Sequence, residues 1–139
     1  MTMRADAFLW PVRVYYEDTD AAGIVYHANY LRFMERARTE WLRALGFEQD
    51  ALAREHGVVF LITESTMAFK RAARFNDELV VHSTLARLRG VTIEFAQTVT
   101  DKLGGTLCSA RNVVACVTAT NLQPRRIPAH MMEIFKGGD

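Results

Sequence analysis

Apolar residues recur at intervals of three or four from Tyr30 through Met34, Ala37 and Trp41 to Leu45, widened by Leu31 and Leu42. This spacing predicts an amphipathic helix over Ala28 to Leu45. Arg32, Glu35, Arg36, Glu40 and Arg43 fill much of the opposite face, Arg36 and Glu40 at i, i+4 spacing, and Gly46 stands where a C-cap belongs. A second, short helix is expected from Glu48 to His56, closed by Gly57. Ahead of the long helix, Val12, Val14 and Tyr16 alternate with Arg13 and Tyr15, so Pro11 to Glu17 is expected to form a half-buried first strand. Beyond Gly57 the period changes to two. Strands are expected at Val58 to Ile62, Glu64 to Phe69, Glu78 to Leu88, Val91 to Thr100 and Thr106 to Ala119. In Val91 to Thr100, the residues Val91, Ile93, Phe95 and Val99 face a core. Arg89-Gly90 and Asp101 to Gly105 supply the turns on either side. Pro124 and Pro128 close the last strand, and Ala129 to Lys136 reads as a short terminal helix. The order is strand, long helix, then an antiparallel sheet of four or five strands. That is an α+β class, with residues 1–139 forming a single domain.

With 139 residues, 50% hydrophobic and 24% charged, the chain can fill one core. One helix covers only part of a sheet face, so association between copies is expected. A net charge of +1 gives no positive field for nucleic acid. The apolar run Ala7 to Trp10 is too short for a signal-peptide core. No stretch reaches the roughly 18 apolar residues of a membrane span, so membrane insertion is not expected and a cytoplasmic location is. Cys108 and Cys116 stand eight positions apart in one expected strand, about 26 Å between Cα atoms at about 3.3 Å per residue. A disulfide needs about 7 Å, so free thiols are expected. Ser65, Ser83 and Ser109 lie in no G-x-S-x-G pattern. His27, His56, His82 and His130 show no metal-ligand spacing, and there is no P-loop. No cofactor or metal is implied.

The segment Tyr16-Glu17-Asp18-Thr19-Asp20-Ala21-Ala22-Gly23-Ile24-Val25-Tyr26-His27-Ala28-Asn29-Tyr30 concentrates acids, a histidine and small residues just before the long helix. Two readings fit. It is either a capping loop whose aspartates satisfy backbone donors, or a site where a carboxylate stands beside a helix N-terminus able to hold an oxyanion.

D-T-D-A-A-G-I-V-Y-H-A-N-Y resembles the signature of the 4-hydroxybenzoyl-CoA thioesterase group. The likeness is nearest to the YbgC-type, Tol-Pal-associated acyl-CoA thioesterases and runs from Trp10 through Glu35-Arg36-Ala37-Arg38-Thr39-Glu40 to the C-terminal prolines. The resemblance implies a hotdog fold, a long central helix wrapped by a curved antiparallel sheet of about five strands, and hydrolysis of acyl-CoA. It implies Asp20 as the catalytic carboxylate, with Asp18 structural, and the backbone N–H of His27 as oxyanion donor. The His27 ring would orient Asp20 or line the pocket. Whether Asp20 attacks the thioester or activates water stays open. The implied assembly is a homotetramer of two dimers with sites at the dimer interface; an acyl carrier protein is a further candidate partner. Lys70, Arg71, Arg74, Arg87 and Arg89 are candidates to meet the phosphates of CoA. The alternative is a non-catalytic hotdog module that binds acyl-CoA or an acyl carrier protein; the intact Asp20 favours the enzyme.

Overall fold

A computed structural model describes residues 6–137. Strand β1 is Phe8–Arg13, and a single 3-10 turn at Tyr16–Asp18 follows it. Helices α1 (Asn29–Ala44) and α2 (Gln49–His56) come next, then β2 (Val58–Phe69), β3 (Glu78–Leu88), β4 (Thr92–Thr100), β5 (Thr106–Thr118) and helix α3 (Ala129–Phe135). The strands form one sheet in the order β1-β3-β4-β5-β2, with every pair antiparallel. Together with α1 this is the α+β hotdog architecture.

The first strand is displaced from its expected range. Pairing with β3 occupies Phe8 to Arg13, and the chain then turns at Tyr15, whose N–H donates to Asp18 Oδ2 at 2.8 Å. Apolar alternation alone does not register that side-chain bond, which stops the strand four residues before Glu17. Pro11 lies inside β1 opposite Val80, and its missing N–H is tolerable because β1 is an edge strand. The two expected strands after Gly57 are one. Ile62 faces Val114 and Glu64 faces Val113, leaving Thr63 as the extra residue of a bulge. Gly57, at φ +66°, caps α2 in the left-handed region as its position suggested.

The buried face of α1 is wider than the apolar stripe, because Asn29, Phe33 and Arg38 are buried with it. On the sheet, Gln97 is buried among Val99, Phe95 and Ile93, and Asn112 on β5 is fully buried. These polar residues separate two apolar clusters. One lies around Tyr30, Phe33, Met34 and Val81; the other lies around Trp41, Leu42, Ile93, Phe95 and Phe135. Strand β2 is the other edge, and Leu61, Ile62 and Phe69 are 38%, 47% and 51% exposed along it. Cys108 and Cys116 both lie on β5, buried and unpaired. Among the described residues no helix is long and apolar enough to cross a membrane.

Candidate active site

The loop entering α1 is built from the aspartates outward. Asp18 is buried, and its carboxylate is fully engaged: Oδ2 accepts the Tyr15 N–H and Oδ1 accepts Nδ2 of Asn29, each at 2.8 Å. Its carbonyl accepts the Tyr26 N–H at 2.9 Å. Asp18 therefore ties the 3-10 turn to the first residue of α1 and presents no free oxygen to a ligand.

Asp20 differs. It is exposed, and its backbone closes a small hairpin: its N–H donates to Ile24 at 3.0 Å and its carbonyl accepts from Gly23 at 2.9 Å. Gly23 has φ +79°, a conformation that costs a glycine nothing. Oδ1 of Asp20 accepts the Ala22 N–H at 2.9 Å, which ties the carboxylate to the hairpin, and among the described residues no hydrogen bond uses Oδ2. The hairpin docks through Ile24 and Val25 onto the segment after β2, where the Val25 N–H donates to Ala73 at 2.8 Å.

The first turn of α1 is tight. Asn29, Tyr30 and Leu31 donate to the carbonyls of Tyr26, His27 and Ala28 at 2.8, 3.3 and 3.2 Å. Among the described residues no hydrogen bond uses the N–H of His27 or Ala28, and no side chain caps the helix. Two backbone donors at a positive dipole end thus have no partner among the described residues, a few positions after the Asp20 hairpin. The His27 ring packs on Tyr26 (4.5 Å between centroids) and edge-on to Phe69 (6.1 Å); Tyr30 meets Phe69 at 5.8 Å.

His27, Tyr30 and Phe69 form the apolar wall of a cavity of about 270 Å³, completed by Ile24, Val25, Lys70, Arg71 and Ala72. Asp20 stands on the hairpin one hydrogen bond from Ile24 and is not part of this wall. Burial raises the Tyr30 phenol above its ordinary value, so it stays a neutral wall residue. Of the basic candidates, Lys70 and Arg71 reach the cavity; Arg71 is also held by Asp101 at 2.7 Å. Arg74 lies on the strand segment that pairs with Ile24, and Arg87 and Arg89 lie at the β3–β4 hairpin, at the opposite end of the sheet.

Sequence reasoning placed Tyr30 on the core stripe and did not single out Phe69. Both are wall residues, and an aromatic closing a strand immediately before Lys70-Arg71 is the signal that was available.

A five-stranded antiparallel sheet with one long helix is the fold of solved thioesterases that this chain resembles. Residues 14–135 match the thioesterase-like superfamily, and the chain belongs to that family. It is 41% identical over 134 residues to the acyl-CoA thioester hydrolase YbgC of Escherichia coli O6:H1, covering 96% of this chain and 99% of the relative. It is 40% identical over 135 residues to the acyl-CoA thioesterase YbgC of Haemophilus influenzae, covering 96% and 97%. Among solved structures, a probable thioesterase from Bartonella henselae superposes with a TM-score of 0.84 at 33% identity, covering 88% of this chain and 99% of that one. A hypothetical protein from Aquifex aeolicus gives 0.85 at 30% identity, covering 93% and 99%.

Proposed function

We propose that this chain hydrolyses acyl-CoA thioesters to the free acid and CoA, with Asp20 as the reacting carboxylate and the backbone N–H of His27 as oxyanion donor. The observation that carries the reading is the pairing of an exposed, hairpin-fixed carboxylate with unused N–H groups at the start of α1. A thioester carbonyl directed at those groups develops its negative charge against preorganised dipoles. Asp20 then either adds to the carbonyl carbon, expelling CoA thiolate and leaving an anhydride for water to cleave, or takes a proton from an attacking water. In both routes the thiolate leaves and is protonated as the acid forms. The His27 ring serves as wall, held between Tyr26 and Phe69, and the residue's backbone N–H survives every side-chain substitution except proline. Lys70 and Arg71, which line the cavity, supply cations for the phosphates of CoA.

The same proposal extends to setting and assembly. The two free cysteines suit a reducing cytoplasm. The exposed β2 edge suits pairing with a second copy, and two such dimers would make the homotetramer. An acyl carrier protein is a second carrier the mouth could accept.

The test is free-thiol release from a panel of short, long and aromatic acyl-CoAs, comparing wild type with Asp20→Asn at equal oligomeric state. Loss of about 100-fold or more in turnover with retained binding is expected. Binding without turnover in the wild type would make the chain a binding module instead. Full activity in Asp20→Asn would move the chemistry to another group.

A further inference from the structure

A second cavity, of about 150 Å³, opens between the middle of α1 and the inner face of the sheet, walled by Leu42, Phe60, Ile62, Phe95 and Val114. Into this space, whose rim also carries Thr39 and Gln49, the helix sets a cation. Arg38 is only 9% exposed and lies over the Phe95 ring at 5.9 Å. Among the described residues its guanidinium forms a single hydrogen bond, Nη1 to Gln97 Oε1 at 2.9 Å. No ion pair among the described residues includes it. Every fully enclosed side-chain nitrogen or oxygen among those residues has a partner, so the N–H groups of Arg38 that Gln97 does not use open onto the cavity. Burial lowers the affinity of Arg38 for its proton, which Glu35 only partly offsets. A guanidinium in such a place is costly unless an acceptor meets it. Glu35 also borders the cavity but is exposed, and among the described residues it forms no ion pair with Arg38.

The position of this cavity relative to the reacting centre follows from strand β2. Phe60 and Ile62 lie near one end of it and Phe69, the wall of the Asp20-side cavity, closes the other. At about 3.3 Å per residue the two ends are some 23 to 30 Å apart, too far for one short acyl-thioester within a single copy. When the free edge of β2 pairs with itself about a twofold axis, the strands run antiparallel. With the twofold axis near Ser65, Phe69 of one copy then falls beside Phe60 and Ile62 of the other.

Resting on the thioesterase reading and extending it to a substrate class, we propose that the Arg38 cavity of one copy receives the far end of the acyl group held at the other copy's Asp20, selecting short acyl groups with an acceptor oxygen there. At about 30 Å³ for a water-sized group the space takes roughly five non-hydrogen atoms, which limits chain length as well.

Three thioesters with the same five-carbon chain test this: pentanoyl-CoA, 4-oxopentanoyl-CoA and glutaryl-CoA. In the wild type, kcat/KM for at least one oxygenated substrate should exceed that for pentanoyl-CoA about tenfold or more. If the ketone leads, the hydrogen bond dominates; if the dicarboxylate leads, charge does. In Arg38→Met the ratio to pentanoyl-CoA should fall to near one. The ratio is read within each variant, so a general loss of activity cancels. Co-expression of Asp20→Asn with Arg38→Met should restore selective turnover, because in mixed dimers one site joins an intact Asp20 to an intact Arg38. Equal rates for all three substrates in the wild type, or selectivity that survives in Arg38→Met, overturns the proposal. Selectivity that co-expression does not restore overturns the placement across the interface. If Arg38→Met does not fold, the wild-type ranking decides, together with inhibition by the free acids, where pentanoate binding as tightly as glutarate and 4-oxopentanoate overturns it. Absence of turnover on every thioester is a different failure, which removes the thioesterase reading and the acyl assignment with it.

Discussion

Asp18 and Asp20 are two residues apart and both acidic, yet the structure assigns them opposite sensitivities. The Asp18 carboxylate accepts two donors, the Tyr15 N–H and the Asn29 amide, both at 2.8 Å in a buried position. Asp18→Ala strands both. Hydrogen bonds to a charged group are worth about 1.5 to 3 kcal/mol each, so the expected loss is about 3 to 6 kcal/mol. Asp18→Asn keeps one acceptor oxygen but turns an NH₂ toward the second donor, and roughly half that loss is expected. For a chain of this length about 3 kcal/mol corresponds to a fall in Tm of roughly 10 °C. Asp20 is exposed, and the one hydrogen bond its carboxylate accepts among the described residues, from the Ala22 N–H, can be kept by an asparagine oxygen. Asp20→Asn should therefore stay within about 0.5 kcal/mol of wild type while losing about 100-fold or more in turnover. Urea unfolding followed by near-UV circular dichroism gives the stabilities, and thiol release below the unfolding transition gives the rates. An Asp18→Asn protein as stable as wild type would refute the reasoning, as would an Asp20→Asn protein that loses its fold instead of its chemistry.

Burial pushes the Cys108 thiol from an ordinary 9.0 to about 11, so the native state keeps a proton that the unfolded chain releases. The stability this contributes is complete below about pH 9 and is lost as pH rises toward 11. Urea midpoints should fall between about pH 8 and about pH 10.5, less steeply in Cys108→Ala, and identical slopes would count against it. Gln97 is buried and bonded to Arg38, Met34, Ser83 and Asn112, so Gln97→Leu should cost about 3 to 5 kcal/mol by urea titration; a loss below about 1 kcal/mol would mean the network relaxes freely. Leu61 lies exposed on the free β2 edge, and Leu61→Lys should shift sedimentation velocity from dimer or tetramer toward monomer, with turnover falling in parallel. A monomeric wild type would dispose of that assembly.

Much of this was legible because it is local. The ends of α1 and α2, the Gly57 cap, and β3, β4 and β5 follow from periodicity and turn residues, each within about a residue of its expected bounds. The polar core was not legible in the same way. Gln97 has the parity of Ile93, Phe95 and Val99, and Arg38 sits four residues from both Met34 and Leu42, so spacing did mark both positions as inward. Spacing alone gives no reason for a polar side chain to be buried there, since only the folded chain brings their hydrogen-bond partners together. Within the site, the Asp20 hairpin and the start of α1 are contiguous in sequence and could be found there. Phe69, Lys70 and Arg71 join them only because Ile24 and Val25 dock beside Ala73 and Arg74.

That polar core also bears on how the site keeps its shape. Apolar packing between α1 and the sheet is non-directional and would permit the helix to slide or rotate slightly at small cost. The hydrogen bonds between the two clusters do not permit it. Gln97 Nε2 donates to the Met34 carbonyl at 3.0 Å and to Ser83 at 2.9 Å, and its Oε1 accepts from Arg38 and from Asn112, each at 2.9 Å. Asn112 in turn accepts from Ser65 on β2 at 2.6 Å. One chain of bonds thus runs from the helix across β3, β4 and β5 to the edge strand. Each weakens steeply when its distance or angle changes, so displacement of α1 strains several together. The N–H groups that open α1 and the Phe69 that closes β2 are therefore held in one relative position by bonds buried between them, before any thioester arrives.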